Sequence, residues 1–257
     1  MPMNSPESSA WTLRFSLFRI PVSISPVSWV VLALLGGAFG VSNGEDASRV
    51  LLFMVAGMLC LLVHEFGHAL TGRATGAVVG GIEIAGMGGT TSFVSLPAGR
   101  GAYMLVVLAG PLASLLLCAG FGLAFGLQLG NVAAGLHYAF LMPWQDTLPL
   151  DLQQQIVLGV YANDIPQMLI QAYTVGILVC FWWSVFNLLP IFPLDGGKFL
   201  GSLLNNYLIP CGLGLLLSAG LAIWALLEAQ WFNVMILGYL GFINWQYLRV
   251  FLAGKKA

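Results

Sequence analysis

The chain has 257 residues, 59% hydrophobic and 7% charged, with a mean hydropathy of +0.90 and a net charge of −1. A soluble domain carries about 25% charged residues, so this composition excludes an ordinary water-soluble globule and asks for a bilayer. Nucleic acid is excluded as a partner, because that takes a basic patch.

In chain order, Arg14 and Arg19 precede the proline-broken run IPVSISPVSWVVLALLGG, which lacks a credible cleavage site. The apolar stretch 25–41 is therefore expected to stay as an anchor, the first of six spans of about 20 residues. The others are expected at 50–71, 101–127, 167–190, 209–228 and 231–251, the last two forming a tight helical hairpin or one broken unit. Between the second and third spans, VVGGIEIAGMGGTTSFVS (78–95) alternates around Ile82, Glu83 and Ile84. It turns at Gly86–Gly89 and resumes in β-prone residues from Thr90 to Val94, a hairpin pattern. Its apolar character suggests a hairpin that dips back into the membrane; pattern alone also fits an ordinary surface hairpin. An exposed edge there would pair with an extended peptide.

Residues 128–166 hold no Lys or Arg but three Asp, and fit a segment lying along the outer interface. Gly122, Gly126 and Gly130 have the spacing of close helix packing. With both termini in the cytoplasm, Arg14, Arg19, Arg73, Arg100, Lys198, Arg249, Lys255 and Lys256 fall on the cytoplasmic side, and only Arg49 outside. The expected fold class is an all-α polytopic membrane protein of about six transmembrane helices, with a membrane-re-entrant β-hairpin between the second and third. Residues 1–257 read as one membrane-embedded domain with its core at about 50–205. The four cysteines, Cys60, Cys118, Cys180 and Cys211, all lie in apolar stretches and read as small buried hydrophobes.

The chemistry concentrates in HEFGH, 64–68, inside the second span. His64 and His68 are four apart, so a helix projects both from one face, one turn apart. Both imidazoles then reach one zinc ion, while Glu65, rotated about 100°, reaches a water beside it as general base. The plain alternative is a pair of packing histidines with a lone buried acid, but titratable residues inside a membrane are rare and usually functional. A catalytic zinc takes three protein ligands and one open position. His137 falls on the outer side, so it is rejected. Asp195, in NLLPIFPLDGG (187–197), lies at the cytoplasmic end of the fourth span, at a depth that matches His64. Pro190 and Pro193 break the helix before it, and Gly196 and Gly197 allow a tight turn.

HEFGH in a membrane span, AGP at 109–111 and NLLPIFPLDGG together resemble the site-2 protease family of intramembrane zinc metalloproteases, over about residues 50–205. The resemblance implies that His64, His68 and Asp195 bind one Zn2+, that Glu65 is the catalytic base, and that Asn187 helps hold substrate near the metal. It also implies that the 78–95 hairpin is the family's re-entrant β-loop. Many members carry Asn where this chain has Ser114, which puts the polar contact of that side chain in question. No PDZ insertion or CBS extension is seen, so substrate selection through such modules is not expected. The expected activity is an endopeptidase cutting in or near transmembrane segments of membrane-tethered protein substrates. The alternative is a membrane metal transporter or sensor built on the same His/Asp site, which gives no reason for Glu65. The compact chain without a targeting peptide points to a prokaryotic plasma membrane; substrate identity and oligomeric state stay open.

Overall fold

A computed structural model of the chain describes residues 11–254, without the side chains of 145–147, 232 and 254. Lys255 and Lys256, counted above on the basic face, lie outside the described residues. The first elements are β1 (Leu13–Leu17), β2 (Ile20–Ile24), α1 (Pro26–Leu35), α2 (Gly44–Ala74), β3 (Val78–Ala85) and β4 (Gly88–Ser95). Then follow α3 (Arg100–Leu129), α4 (Val132–Leu141), α5 (Leu150–Ala162), α6 (Gln167–Asn187), α7 (Asp195–Leu203), α8 (Leu208–Leu227) and α9 (Trp231–Gly254).

The Asn43 side chain accepts the Asp46 N–H and caps α2, with Glu45 and Asp46 in the first turn and Arg73 in the last. These charges complement the helix dipole. Its 31 residues rise about 46 Å at 1.5 Å each, more than the ~30 Å hydrocarbon core. α2, α3, α6 and α8 are the four helices, among the described residues, long and apolar enough to cross a membrane. The protein is therefore an integral membrane protein. α3 and α6 pack on α2, burying Cys60, Cys118, Ile177, Cys180 and Phe181 together. Gly122 and Gly126 let α4 fold back onto α3: a Cβ on Gly135 would strike the α3 backbone at both. That is the packing role expected of Gly122 and Gly126; Gly130 instead ends α3 at a φ of 69°.

Two expectations change. Where an anchor over 25–41 was expected, the helix is α1, ten residues and about 15 Å, too short to cross alone. The reason lies in the sheet. β1 and β2 form an antiparallel hairpin, and β2 pairs in parallel with β3, so the expected two-stranded hairpin is half of a four-stranded sheet ordered β1-β2-β3-β4. The Ser25 N–H donates to the Ile84 carbonyl at 2.9 Å, so α1 starts from the tip of that sheet. β4 runs back along the last turns of α2, with the Phe93 ring at Gly72 and Thr91 at Glu65. α1 thus begins partway up α2 and lies antiparallel to it, Leu32 at Gly57 and Gly36 at Phe53. Only the remaining length of α2 has to be matched. α9 has 24 residues but is less apolar than the four spans, interrupted by Asn233, Asn244 and Gln246.

Ile20, Val22 and Ile24 of β2 and Ile82 and Ile84 of β3 turn one face of the sheet onto Leu61, Phe66 and Ala69 of α2. This apolar seam seats the sheet beside the histidines.

Candidate metal centre

His64, Glu65 and His68 lie on α2, about 9–15 Å before its C-terminal end at 1.5 Å per residue. They are 2%, 4% and 8% exposed, and Asp195, the first residue of α7, is 3% exposed. Four ionisable groups at this burial need partners, since an unpaired charge out of water is unfavourable by several kcal/mol.

The partners are mutual. His64 Nε2 is 3.0 Å from Asp195 Oδ2, His68 Nε2 is 3.1 Å from the same oxygen, and the two Nε2 atoms are 3.2 Å apart. The chemistry of the outer nitrogens fixes the inner ones. His68 Nδ1 is 2.7 Å from the Val106 carbonyl, which only accepts, so Nδ1 carries the proton and Nε2 of the neutral ring presents a lone pair. His64 Nδ1 is 3.2 Å from Ser114 Oγ, whose hydroxyl in turn faces the Gly110 carbonyl at 3.4 Å. Donation along that chain leaves His64 Nε2 bare as well. Two lone pairs and a carboxylate oxygen then face one another at hydrogen-bond distance, an arrangement that a cation between them would satisfy. Donors on a tetrahedral zinc with ~2.0–2.1 Å bonds stand about 3.3 Å apart, close to the spacing here. The donor set fits zinc, with imidazoles oriented by a hydroxyl and a carbonyl.

Glu65 has a ligand atom within 4.8 Å of those of both histidines. It lies farther out than Asp195 and is held differently. Thr91 of β4 donates to Glu65 Oε2 at 2.7 Å and lies 3.0 Å from the Glu65 carbonyl oxygen. A Cβ on Gly89 would collide with Glu65, so that glycine leaves the carboxylate its space. Asp195 divides its oxygens: Oδ2 faces the imidazoles, and Oδ1 takes Lys198 Nζ at 3.1 Å. One oxygen is thereby reserved for the centre.

The local sequence explains the approach. A Cβ on Gly67 would strike the Ala109 carbonyl, and one on Gly110 would strike His68 and reach His64 Nε2 at 2.9 Å. The glycines of HEFGH and AGP thus let α2 and α3 cross at the centre. Pro111 lies inside α3 and has no N–H for the preceding turn, near the carbonyl that orients His68. Gly196 and Gly197 press against the backbone of 188–192, where a Cβ would meet Leu188, Leu189 or Ile191. That loop contains a cis Phe192–Pro193 bond and turns the chain from α6 into α7.

The sequence model of Peptidase family M50 matches residues 52–212, more than half of the chain. The chain belongs to peptidase family M50, the site-2 protease family. A Synechocystis protein assigned as a zinc metalloprotease is 26% identical over 200 residues. The match covers 73% of this chain and 42% of that protein, so the chain spans under half the length of this relative. The solved site-2 protease from Methanocaldococcus jannaschii is 18% identical, with coverage of 93% of this chain and 95% of that one and a TM-score of 0.54. The two share a fold.

In this M50 chain, three of the expected ligands, His64, His68 and Asp195, come together, with Glu65 beside them. Asn187 is the last residue of α6 and is buried, but its Nδ2 donates to the Trp183 carbonyl at 2.9 Å; no bond to the three donors is drawn among the described residues. His137 lines a different cavity, of about 310 Å³, with Asp151 and Gln155. Sequence reasoning missed Thr91, Lys198 and the Val106 carbonyl. Lys198 had a signal, its i, i+3 spacing from Asp195 on one helix; Thr91 and Val106 had none. Ser114, left in question, makes the polar contact to His64 that its shorter side chain had put in doubt.

Proposed function

We propose that the protein is an intramembrane zinc metalloendopeptidase that cuts peptide bonds in or near transmembrane segments of membrane-tethered substrates. The observation that carries this reading is Glu65: a buried carboxylate beside three converged metal donors, tied back by Thr91 rather than joined to them. A metal transporter has no use for such a group.

In this reading His64, His68 and Asp195 hold the ion. Zinc there supplies a Lewis acid for the scissile carbonyl and lowers the pKa of a bound water. Thr91 occupies Oε2 of Glu65, so Oε1 takes the proton of the attacking water and delivers it to the leaving amine. Asn187, close in sequence to Asp195 and at the end of α6, donates to the substrate or its developing oxyanion once its amide turns from Trp183. β4 is a terminal strand of the sheet and touches Glu65 through Thr91. Its free edge receives the substrate as an added strand, which holds an unwound segment extended at the centre. The hairpin re-enters the membrane in this reading, supported by its run along α2 as far as Glu65.

For topology, Arg73, Arg100 and Lys198 gather where α2 ends and α3 and α7 begin, and Arg49 pairs with Glu45 at 2.6 Å at the opposite end of α2. In this reading the positive-inside rule favours both termini in the cytoplasm, with the expected first span, 25–41, and α9 added to the four long helices as six passes.

The test combines two measurements on detergent-purified protein. Elemental analysis is expected to find about one zinc per wild-type chain and none in His64→Ala. Wild type is expected to cleave a membrane-tethered substrate, and Glu65→Gln to bind zinc without cleaving. Zinc-loaded wild type that cleaves no such substrate, but moves zinc across vesicles, overturns the reading in favour of transport.

A further inference from the structure

Register decides which side chains of β1 and β2 share a face. Leu13 lies opposite Ile24, Phe15 opposite Val22 and Leu17 opposite Ile20. The β2 members of these pairs are buried against α2. The β1 members are 54%, 37% and 44% exposed, and Trp11 and Phe18 beyond them more so. The apolar face of the sheet thus continues past the helix that covers β2 and β3. Arg14 and Ser16 alternate onto the opposite face, where Ser23 and then Glu83 continue the Arg14 row. Arg14 and Arg19 are exposed and form no ion pair among the described residues. The turn between the strands is tied to one end of α2. Arg73, in its last turn, donates to the Phe18 carbonyl at 2.8 Å, and the Phe18 ring meets Phe66 edge-on. Because α2 is longer than the hydrocarbon core is thick, that end reaches the headgroups. The proposed hydrolysis uses none of the β1 residues.

Water does not suit this surface, since it leaves five large apolar side chains of one hairpin bare. Hydrocarbon does not suit it either. β1 is a terminal strand, and the unpaired N–H and C=O groups along its outer edge find no partner among acyl chains. The layer between the two meets both demands. We propose that the β1–β2 hairpin is an interfacial anchor: Leu13, Phe15 and Leu17 enter the top of the acyl layer, and Arg14 and Arg19 bind the phosphates of acidic phospholipids. Apolar and aromatic residues on one face with arginine on the other is the composition of segments that lie on a membrane surface, and the two unpaired cations supply the charge complementarity. The anchor also fixes a height. β2 pairs with β3, β3 pairs with β4, and Thr91 of β4 holds Glu65, so lipid contact at β1 sets how the sheet stands beside the candidate metal centre. Such an anchor requires an embedded chain, not a hydrolytic one.

The test uses the whole chain in vesicles of phosphatidylcholine and phosphatidylglycerol, with a nitroxide at Phe15→Cys or at Ser16→Cys. The four native cysteines are buried and stay in place. The label at position 15 is expected to relax faster with oxygen than with a water-soluble nickel chelate, and the label at position 16 the reverse. Both labels open to nickel place the hairpin in water and overturn the proposal. A label at position 15 closed to both reagents means that a protein strand or a second copy covers it, and overturns the proposal as well. The phosphate contacts are read separately. Spin-labelled phosphatidylglycerol is expected to associate with wild type several times more strongly than spin-labelled phosphatidylcholine, and Arg14→Gln/Arg19→Gln to lose most of that preference. These two positions are exposed, so the double variant is expected to fold. An equal preference in variant and wild type overturns the lipid site.

Discussion

Thr91 holds one oxygen of Glu65, and in the proposed reaction the other is left to handle a proton. Replacing Glu65 by Gln keeps the shape and removes the basicity; kcat is expected to fall by about 100-fold or more at unchanged zinc content. Thr91→Val is expected to cost about tenfold in kcat/KM, with recovery in Thr91→Ser, measured on one tethered substrate. Ser114 acts one bond farther out. Ser114→Ala frees the His64 ring and is expected to weaken zinc binding ~10–100-fold, read by competition with a chelating dye; Ser114→Asn, which restores a polar partner, is expected to bind nearly as wild type. At this scale the sequence was informative wherever spacing along one helix sets direction. His64, Glu65 and His68 needed only the helical repeat. Thr91 and Val106 were illegible, because what matters about them is a contact made across 26 and 38 positions of chain, and neither residue type announces it.

The crossing of α2 and α3 rests on two glycines, and only packing against a neighbour distinguishes them from others nearby. Gly67 meets the Ala109 carbonyl, whereas Gly120, on α3, has open space where a Cβ would go. Gly67→Ala is expected to destabilise by about 1–3 kcal/mol through overpacking and to lose zinc. Gly120→Ala is expected to be neutral or slightly stabilising, within about 0.5 kcal/mol; thermal melts of the two variants check the contrast. The long helices were legible from their apolar runs, and the 78–95 hairpin from its alternation and glycines. The β1–β2 hairpin was not. Its turn places Phe18 and Arg19 at φ of 51° and 59°, a conformation that ordinarily asks for Asn-Gly. Arg73 donates to the Phe18 carbonyl at 2.8 Å and helps hold that turn. A long-range cation replaces the local signal, so the sequence showed only a proline-broken apolar stretch.

Across the whole molecule, the candidate metal centre joins α2 to α7, elements separated by more than a hundred residues. Zinc should therefore act as a brace. At a thousandfold excess over its Kd it contributes about 4 kcal/mol, so a strong chelator is expected to lower Tm by several degrees. Asp195→Asn, with the donor set broken, is expected to melt lower and to be indifferent to chelator. The other long-range tie is the parallel pairing of β2 with β3, in which Val22 faces Ile82. Sixty residues separate those partners, and translation proceeds at about 5–20 residues per second. For roughly 3–12 seconds the newborn β2 has no third strand to lie against, while α1 and α2 are still being inserted. The ribosome thus delivers last the half of the sheet that touches Glu65, and the nascent chain cannot assemble the cleft beside Glu65 before its first long helix has been laid into the lipid.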